Sequence, residues 1–176
     1  GRTDAGVHAK KMFAHFDAKL SKDMFDKLKS LMNSYLPKDI TIKNLLPVIS
    51  DAHARYDAIS RTYKYYISTE KDSFNFPYSY YIKDNLDIDS MNNAATSLLK
   101  FQDFKSFSKS NTDAKTFICE IKYAKWIFLE NMCVFKISSN RFLRNMVRAL
   151  VGTQLDVGRG YITIENYKNI IESKKR

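Results

Sequence analysis

At 176 residues, 44% of them hydrophobic and with only 5 Gly and 3 Pro, the chain has the composition of a folded protein with one sizeable core or two small ones. Lysine and arginine number 29 against 19 Asp and Glu, a formal charge of +10. That balance points to a polyanionic partner, nucleic acid above all, although a basic surface without a ligand has the same charge.

No apolar run approaches the length of a membrane span. Cys119 and Cys133 lie in apolar strand-like runs with no CxxC pair and no ligand-spaced histidines, so they are expected to be reduced core residues of a cytoplasmic protein rather than a metal site. The 11 Tyr, 12 Phe and one Trp are a heavy aromatic load; most are expected in the core, but looped or single-stranded RNA is held by stacking on such rings.

In chain order, residues 1–9 read Gly-Arg-Thr-Asp-Ala-Gly-Val-His-Ala. Asp4 stands between basic Arg2 and turn-forming Gly6, and taken alone it is an ordinary Asx-turn residue. Residues 10–16 alternate Met12, Ala14 and Phe16 with Lys11, Phe13 and His15, which predicts a half-buried strand fed directly by the loop. Ser21 is the expected cap of a helix running to about Tyr35, with Met24, Leu28, Leu31 and Tyr35 as its buried stripe. Leu36-Pro37 ends it. Residues 40–46 predict another short strand.

His53-Ala54-Arg55 comes next, followed by a strand on which Arg61, Tyr63, Tyr65 and Ile67 share one face and Ser60, Thr62, Lys64 and Tyr66 the other. Simple strand packing explains Tyr63 and Tyr65 equally well. A domain boundary is expected near Ala58, dividing the chain into 1–58 and 59–176. Residues 69–83 read as an aromatic loop around Pro77. Asp87 or Asp89 caps a helix with Met91, Ala94, Ala95, Leu98 and Leu99 inward. Residues 117–124 and 132–137 predict two strands of a hairpin. Asn140 is the expected cap of a helix ended by Gly158-Arg159-Gly160, with Leu143, Met146, Val147 and Leu150 buried. On that helix Arg141, Arg144 and Arg148 would form a stripe, which a solvated surface helix also carries. A last helix begins at Thr163.

Three of these blocks together resemble the tRNA pseudouridine synthases of the TruA type. Arg2, Thr3, Asp4, Gly6, Val7, His8 and Ala9 match that family's catalytic loop. His53-Ala54-Arg55 with Arg61, Tyr63 and Tyr65 matches its second motif, although Tyr56 replaces a usual Phe. Phe142, Leu143, Met146, Val147, Arg148, Leu150, Val151 and Gly152 match its helix. A fourth segment keeps Asp103-Phe104 and Ser106-Phe107 but has Phe101 and Gln102 in place of a small residue and a His, so no role is carried to it.

The resemblance implies an α+β fold of two similar halves whose antiparallel sheets join across a basic cleft, in a homodimer. It implies that Asp4 is the catalytic carboxylate, that Arg148 pairs with it and that Tyr63 packs against the target base. Arg2, His8, Arg55, Arg61, Lys64, Arg141 and Arg144 are the implied RNA contacts, with Arg2 alternatively bracing the site of the flipped-out base. The substrate implied is tRNA, at uridines 38–40 of the anticodon stem-loop. The resemblance also places a strand and helix ahead of Gly1 and a strand beyond Arg176, so the chain is expected to be a fragment that binds tRNA and turns over slowly. Uridine and pseudouridine are isomers, so the conversion needs no cofactor and no metal. The rival reading is a catalytically silent RNA-binding module, which explains charge and aromatics but not Asp4 with Arg148 and Tyr63.

Overall fold

The computed structural model describes residues 3–21, 23–112 and 114–175. Its contacts fall into two compact units, Gly1–Asp57 and Ala58–Arg176. Helices and a mixed sheet make the protein α+β.

The first unit holds one helix, α1 (Met24–Tyr35). Asp23 occupies its N-cap position with no side-chain cap bond; Ser21 contributes only its carbonyl, which accepts from the Met24 N–H at 3.1 Å. The helix stops at Leu36, whose extended backbone (ψ 147) is what a following proline imposes. The expected inward stripe is rotated. Met24, Leu31 and Tyr35 are exposed, and the half-covered positions are Phe25, Leu28, Met32 and Leu36.

Neither expected strand of this unit forms. Residues 10–16 and 40–46 belong to no ladder among the described residues, and alternation describes a strand only where a neighbouring backbone accepts its hydrogen bonds. Ile42 is instead bonded by a side chain: its N–H donates to Asn33 Oδ1 (2.7 Å) and its carbonyl accepts from Asn33 Nδ2 (3.0 Å).

The second unit is a four-stranded sheet of order β2-β1-β4-β3, comprising β1 (Arg61–Ser68), β2 (Tyr80–Tyr81), β3 (Ile121–Leu129) and β4 (Met132–Ser139). β1 and β3 both run antiparallel to β4, while β2 is parallel to β1, so the sheet is mixed. The aromatic stretch 69–83 thus contains a short edge strand, and β3 begins later than residue 117. Trp126 lies within β3.

Alternation decides which side of the sheet is covered. Ile67, Cys133, Phe135, Ile137 and Trp126 are buried, under α2 (Ile88–Ser97), α3 (Met146–Gly158) and α4 (Ile164–Ser173). Full burial of each such side chain stabilises by roughly 1.5–3 kcal/mol.

Local chemistry fixes these helices. Asp87 caps α2, its carboxylate accepting from the Ser90 N–H at 3.0 Å. Those bonds to Ser90 hold its carboxyl below the usual carboxylate range. Thr163 caps α4 in the same way through Asn166 N–H at 3.1 Å. Leu98 is buried, but Leu99 is 49% exposed, because the chain tightens into a 3₁₀ turn at Leu98–Lys100 and the helical spacing is lost there. Asn92 of α2 repeats the device of Asn33: Trp126 N–H donates to its Oδ1 (2.9 Å) and Trp126 carbonyl accepts from its Nδ2 (3.2 Å). That closes part of the outer edge of β3. Below the sheet, Trp126 Nε1 donates to Gln154 Oε1 (2.6 Å), and Gln154 Nε2 donates to the Tyr167 hydroxyl (2.9 Å). This satisfied network ties β3, α3 and α4 inside the core.

Candidate active site and nucleic-acid interface

In the first unit Asp4 opens a tight turn. Val7 N–H donates to the Asp4 carbonyl at 3.3 Å, and Gly6 takes φ 77, the left-handed value that the third residue of a type II turn requires. A side chain at Gly6 would be strained, so the glycine sets the direction in which the loop presents Asp4. Asp4 is half-covered and His8 exposed. Arg2 lies outside the described residues.

The His-Ala-Arg segment is a second turn, organised by its histidine. His53 Nδ1 accepts from the Arg55 and Tyr56 N–H groups, each at 3.2 Å. The His53 backbone N–H donates to Asp57 Oδ2 at 2.6 Å. The ring stacks on Tyr56 (centroids 4.2 Å apart) and lies 4.6 Å from His15, while Ala54 N–H donates to His15 Nδ1 at 3.1 Å. The structure therefore explains His53 as the acceptor that holds Arg55 in place. Arg55 is exposed, with its guanidinium 5.3 Å from the Tyr56 ring centroid.

In the second unit, Tyr63 projects from β1 to the core side and meets Phe142 edge-on, with centroids 5.1 Å apart. Residues 140–145, which precede α3, are pinned at several points. Arg61 Nη1 donates to the Asn140 carbonyl (3.0 Å). Asn140 Oδ1 accepts from Glu120 N–H (2.9 Å), and the Arg144 carbonyl accepts from Lys109 N–H (2.9 Å). Asn140 is thus a strand-end anchor and not a helix cap.

The helix begins only after Asn145, whose φ of 65 is a left-handed value that asparagine tolerates. The arginine stripe does not form for the same reason: Arg141 and Arg144 precede the helix, and Arg148 alone lies on it. Arg141 is half-covered, whereas Arg144 and Arg148 are exposed. Leu143, Met146 and Leu150 are buried as expected, and Val147 is half-covered.

Arg148 stands in the first turn of α3, at the helix end whose exposed N–H groups favour an anion. Beside it is a depression of about 320 Å³ whose wall includes Tyr65, Tyr80, Gly152, Asp156 and Arg159. Arg159 Nε bonds Asp84 Oδ2 at 2.6 Å, which raises the arginine further above its ordinary range. Tyr80 was not legible as a site residue, because only the two-residue pairing of β2 with β1 brings it beside Tyr65 and Arg148.

The sequence-derived residues therefore form two groups. Asp4, His8 and Arg55 are in the first unit; Arg61, Tyr63, Arg141, Arg144 and Arg148 are in the second, with Lys64 on the opposite face of β1 from Tyr63. Among the described residues no helix is long and apolar enough to cross a membrane.

Comparison with known proteins gives a consistent result. Residues 94–176 match a family profile described as tRNA pseudouridine synthase. The tRNA pseudouridine synthase A of Parabacteroides distasonis is 51% identical over 176 residues, an alignment that takes in 100% of this chain and 70% of that protein. That of Bacteroides fragilis is 50% identical over 177 residues, with 100% and 70% covered. The more distant tRNA pseudouridine synthase A of Caldicellulosiruptor bescii is 41% identical over 179 residues, covering 100% of this chain and 72% of its own length. Being 41–51% identical along its whole length to these enzymes and covering 70–72% of theirs, the chain belongs to the tRNA pseudouridine synthase family.

Proposed function

We propose that Asp4 is the carboxylate with which this family member isomerises uridine to pseudouridine in tRNA, supported by Arg148 and Tyr63. The observation that carries the reading is the Asp4 turn. Within the matching nonapeptide Asp4 is the one carboxylate, and Gly6 at φ 77 orients it.

The reaction breaks the bond between the ribose C1′ and N1 of the base, turns the base, and joins C1′ to C5. The C5 proton leaves and N1 gains one, so atoms balance without any redox equivalent. An ionised Asp4 can attack C1′ or accept the C2′ proton on the way to a glycal. Arg148 is the proposed partner of that carboxylate: a guanidinium stays protonated and grips two oxygens with its planar fork. Tyr63 offers a ring to a uridine taken out of its stack. Arg2, His8, Arg55, Arg61, Lys64, Arg141 and Arg144 are proposed to hold backbone phosphates and set register. The reading extends to uridines 38–40 of the anticodon stem-loop as targets and to a homodimer acting in the cytoplasm.

The test uses unmodified tRNA labelled with tritium at uridine C5, because forming the C1′–C5 bond releases that label. Release by the chain, with pseudouridine mapped to the anticodon stem-loop, is expected. Tight tRNA binding with no release, under conditions where an active synthase of the family releases label, would favour the silent module.

A further inference from the structure

The strands β1, β4 and β3 lie side by side, so each level of the sheet carries one side chain from each strand. On the face turned away from Tyr63 and the helices, Lys64 pairs with Lys136, and Lys136 pairs with Lys125. Three lysines therefore stand in one row across three strands. Strands are about 4.8 Å apart, so the row lays three positive charges over about 10 Å. Lys64 and Lys125 are exposed and Lys136 half-covered, its Nζ 5.2 Å from the centroid of the Tyr123 ring. In the adjoining row Thr62 Oγ1 and Ser138 Oγ share a hydrogen bond at 3.1 Å.

Like charges directly opposite one another destabilise a sheet. Isolated lysines on a solvent face are common, but three in register are unfavourable unless an anion neutralises them. No Asp or Glu occupies this face of β1, β4 or β3, and among the described residues the ion pairs do not include Lys64, Lys136 or Lys125.

We propose that the row Lys64–Lys136–Lys125 is a phosphate-binding surface for a double-helical arm of tRNA, on the face of the sheet opposite Tyr63. The proposal rests on the reading of tRNA as substrate. A duplex fits better than an unstacked single strand, because the row offers charges and hydroxyls for phosphate and 2′-OH contacts, while the Tyr123 ring is already engaged by Lys136. Because the face points away from Tyr63, the RNA held there is a part of the tRNA remote from the reacting base.

The experiment compares the wild-type chain with the double variant Lys125→Gln/Lys136→Gln. Binding of an unmodified tRNA transcript is titrated at several KCl concentrations, alongside single-turnover pseudouridine formation at saturating tRNA. Each lost phosphate contact removes about 0.7–0.9 from the slope of log K against log salt. The expected result is a slope shallower by about 1.5 and an affinity reduced about tenfold or more near 0.1 M salt, with the saturating rate unchanged. Lys125→Arg/Lys136→Arg should restore both slope and affinity. An unchanged slope in the folded Gln variant overturns the proposal. So does an unchanged slope with altered oligomeric mass, which would assign the face to a second copy of the chain. If the double variant fails to fold, Lys125→Gln alone, at an exposed edge-strand position, must lower the slope by about 0.7–0.9, and no change there overturns it equally. Failure of the catalytic reading looks different: wild-type chain would bind tRNA with steep salt dependence and form no pseudouridine, leaving the lysine row intact as an RNA surface.

Discussion

Tyr63 has one edge held by Phe142 and is otherwise only half-covered, which makes it a test of whether a strand tyrosine packs or stacks. Tyr63→Phe keeps the ring and should retain most tRNA affinity. Tyr63→Leu removes it and should weaken binding by about 1–3 kcal/mol, the value of one base stacked on an aromatic. Equilibrium titration with tRNA checks both, and unaltered affinity in the Leu variant would return Tyr63 to core packing. Arg148→Lys keeps the charge at the start of α3 but loses the planar fork. Single-turnover rates should fall by on the order of 100-fold, as a misplaced reacting group can cost. The unfolding midpoint should stay put, because the side chain is exposed. Wild-type rates would dismiss the pairing with Asp4. At this scale the sequence named candidates without their surroundings. Arg148 and Tyr63 could be named from their motifs, yet Asn140 as a strand anchor could not, because its partners Glu120 and Arg61 are distant in sequence, and nothing in the residue pattern set Asn145 at φ 65.

At the scale of elements, caps and buried stripes were legible where the structure answers them locally. Asp87, one of the two caps the sequence offered, caps α2, and Thr163, where the last helix was expected to begin, caps α4; Thr163→Ala should destabilise by about 1 kcal/mol, measured by denaturant unfolding. β1 followed its alternation because β4 pairs with it along its whole length. Residues 10–16 alternate just as well and form no strand, since periodicity reports a face and not a partner. The arginine stripe failed through a shift of origin: a helix begun at Asn140 would align Arg141, Arg144 and Arg148, but α3 begins at Met146. Gln154 was invisible as a core residue, being polar, until Trp126 and Tyr167 closed around it. Gln154→Leu leaves the Trp126 indole Nε1–H without its acceptor and should cost about 1–3 kcal/mol, again read from denaturant midpoints.

For the molecule as a whole, composition announced an RNA partner, while the placement of charge needed the register of three strands. The two cysteines are buried thiols, and burial pushes Cys119 and Cys133 each up to about 11 from 9.0; burial raises the Tyr167 hydroxyl in the same direction. For the two thiols the unfolded chain ionises first, so this contribution to stability is complete below pH 9 and is lost as pH rises toward 11. The unfolding midpoint should therefore drop as pH rises from 9 toward 11, and Cys119→Ala/Cys133→Ala should flatten that drop; an equal drop in the variant would assign it to other groups. The central claim, that Asp4 performs the chemistry, is tested most directly by Asp4→Asn, which keeps the size of the side chain and removes its charge. Measured in parallel with wild type, tritium release from C5-labelled tRNA should fall to background while tRNA affinity stays within a few-fold. Comparable release by the Asn variant would contradict the assignment of Asp4.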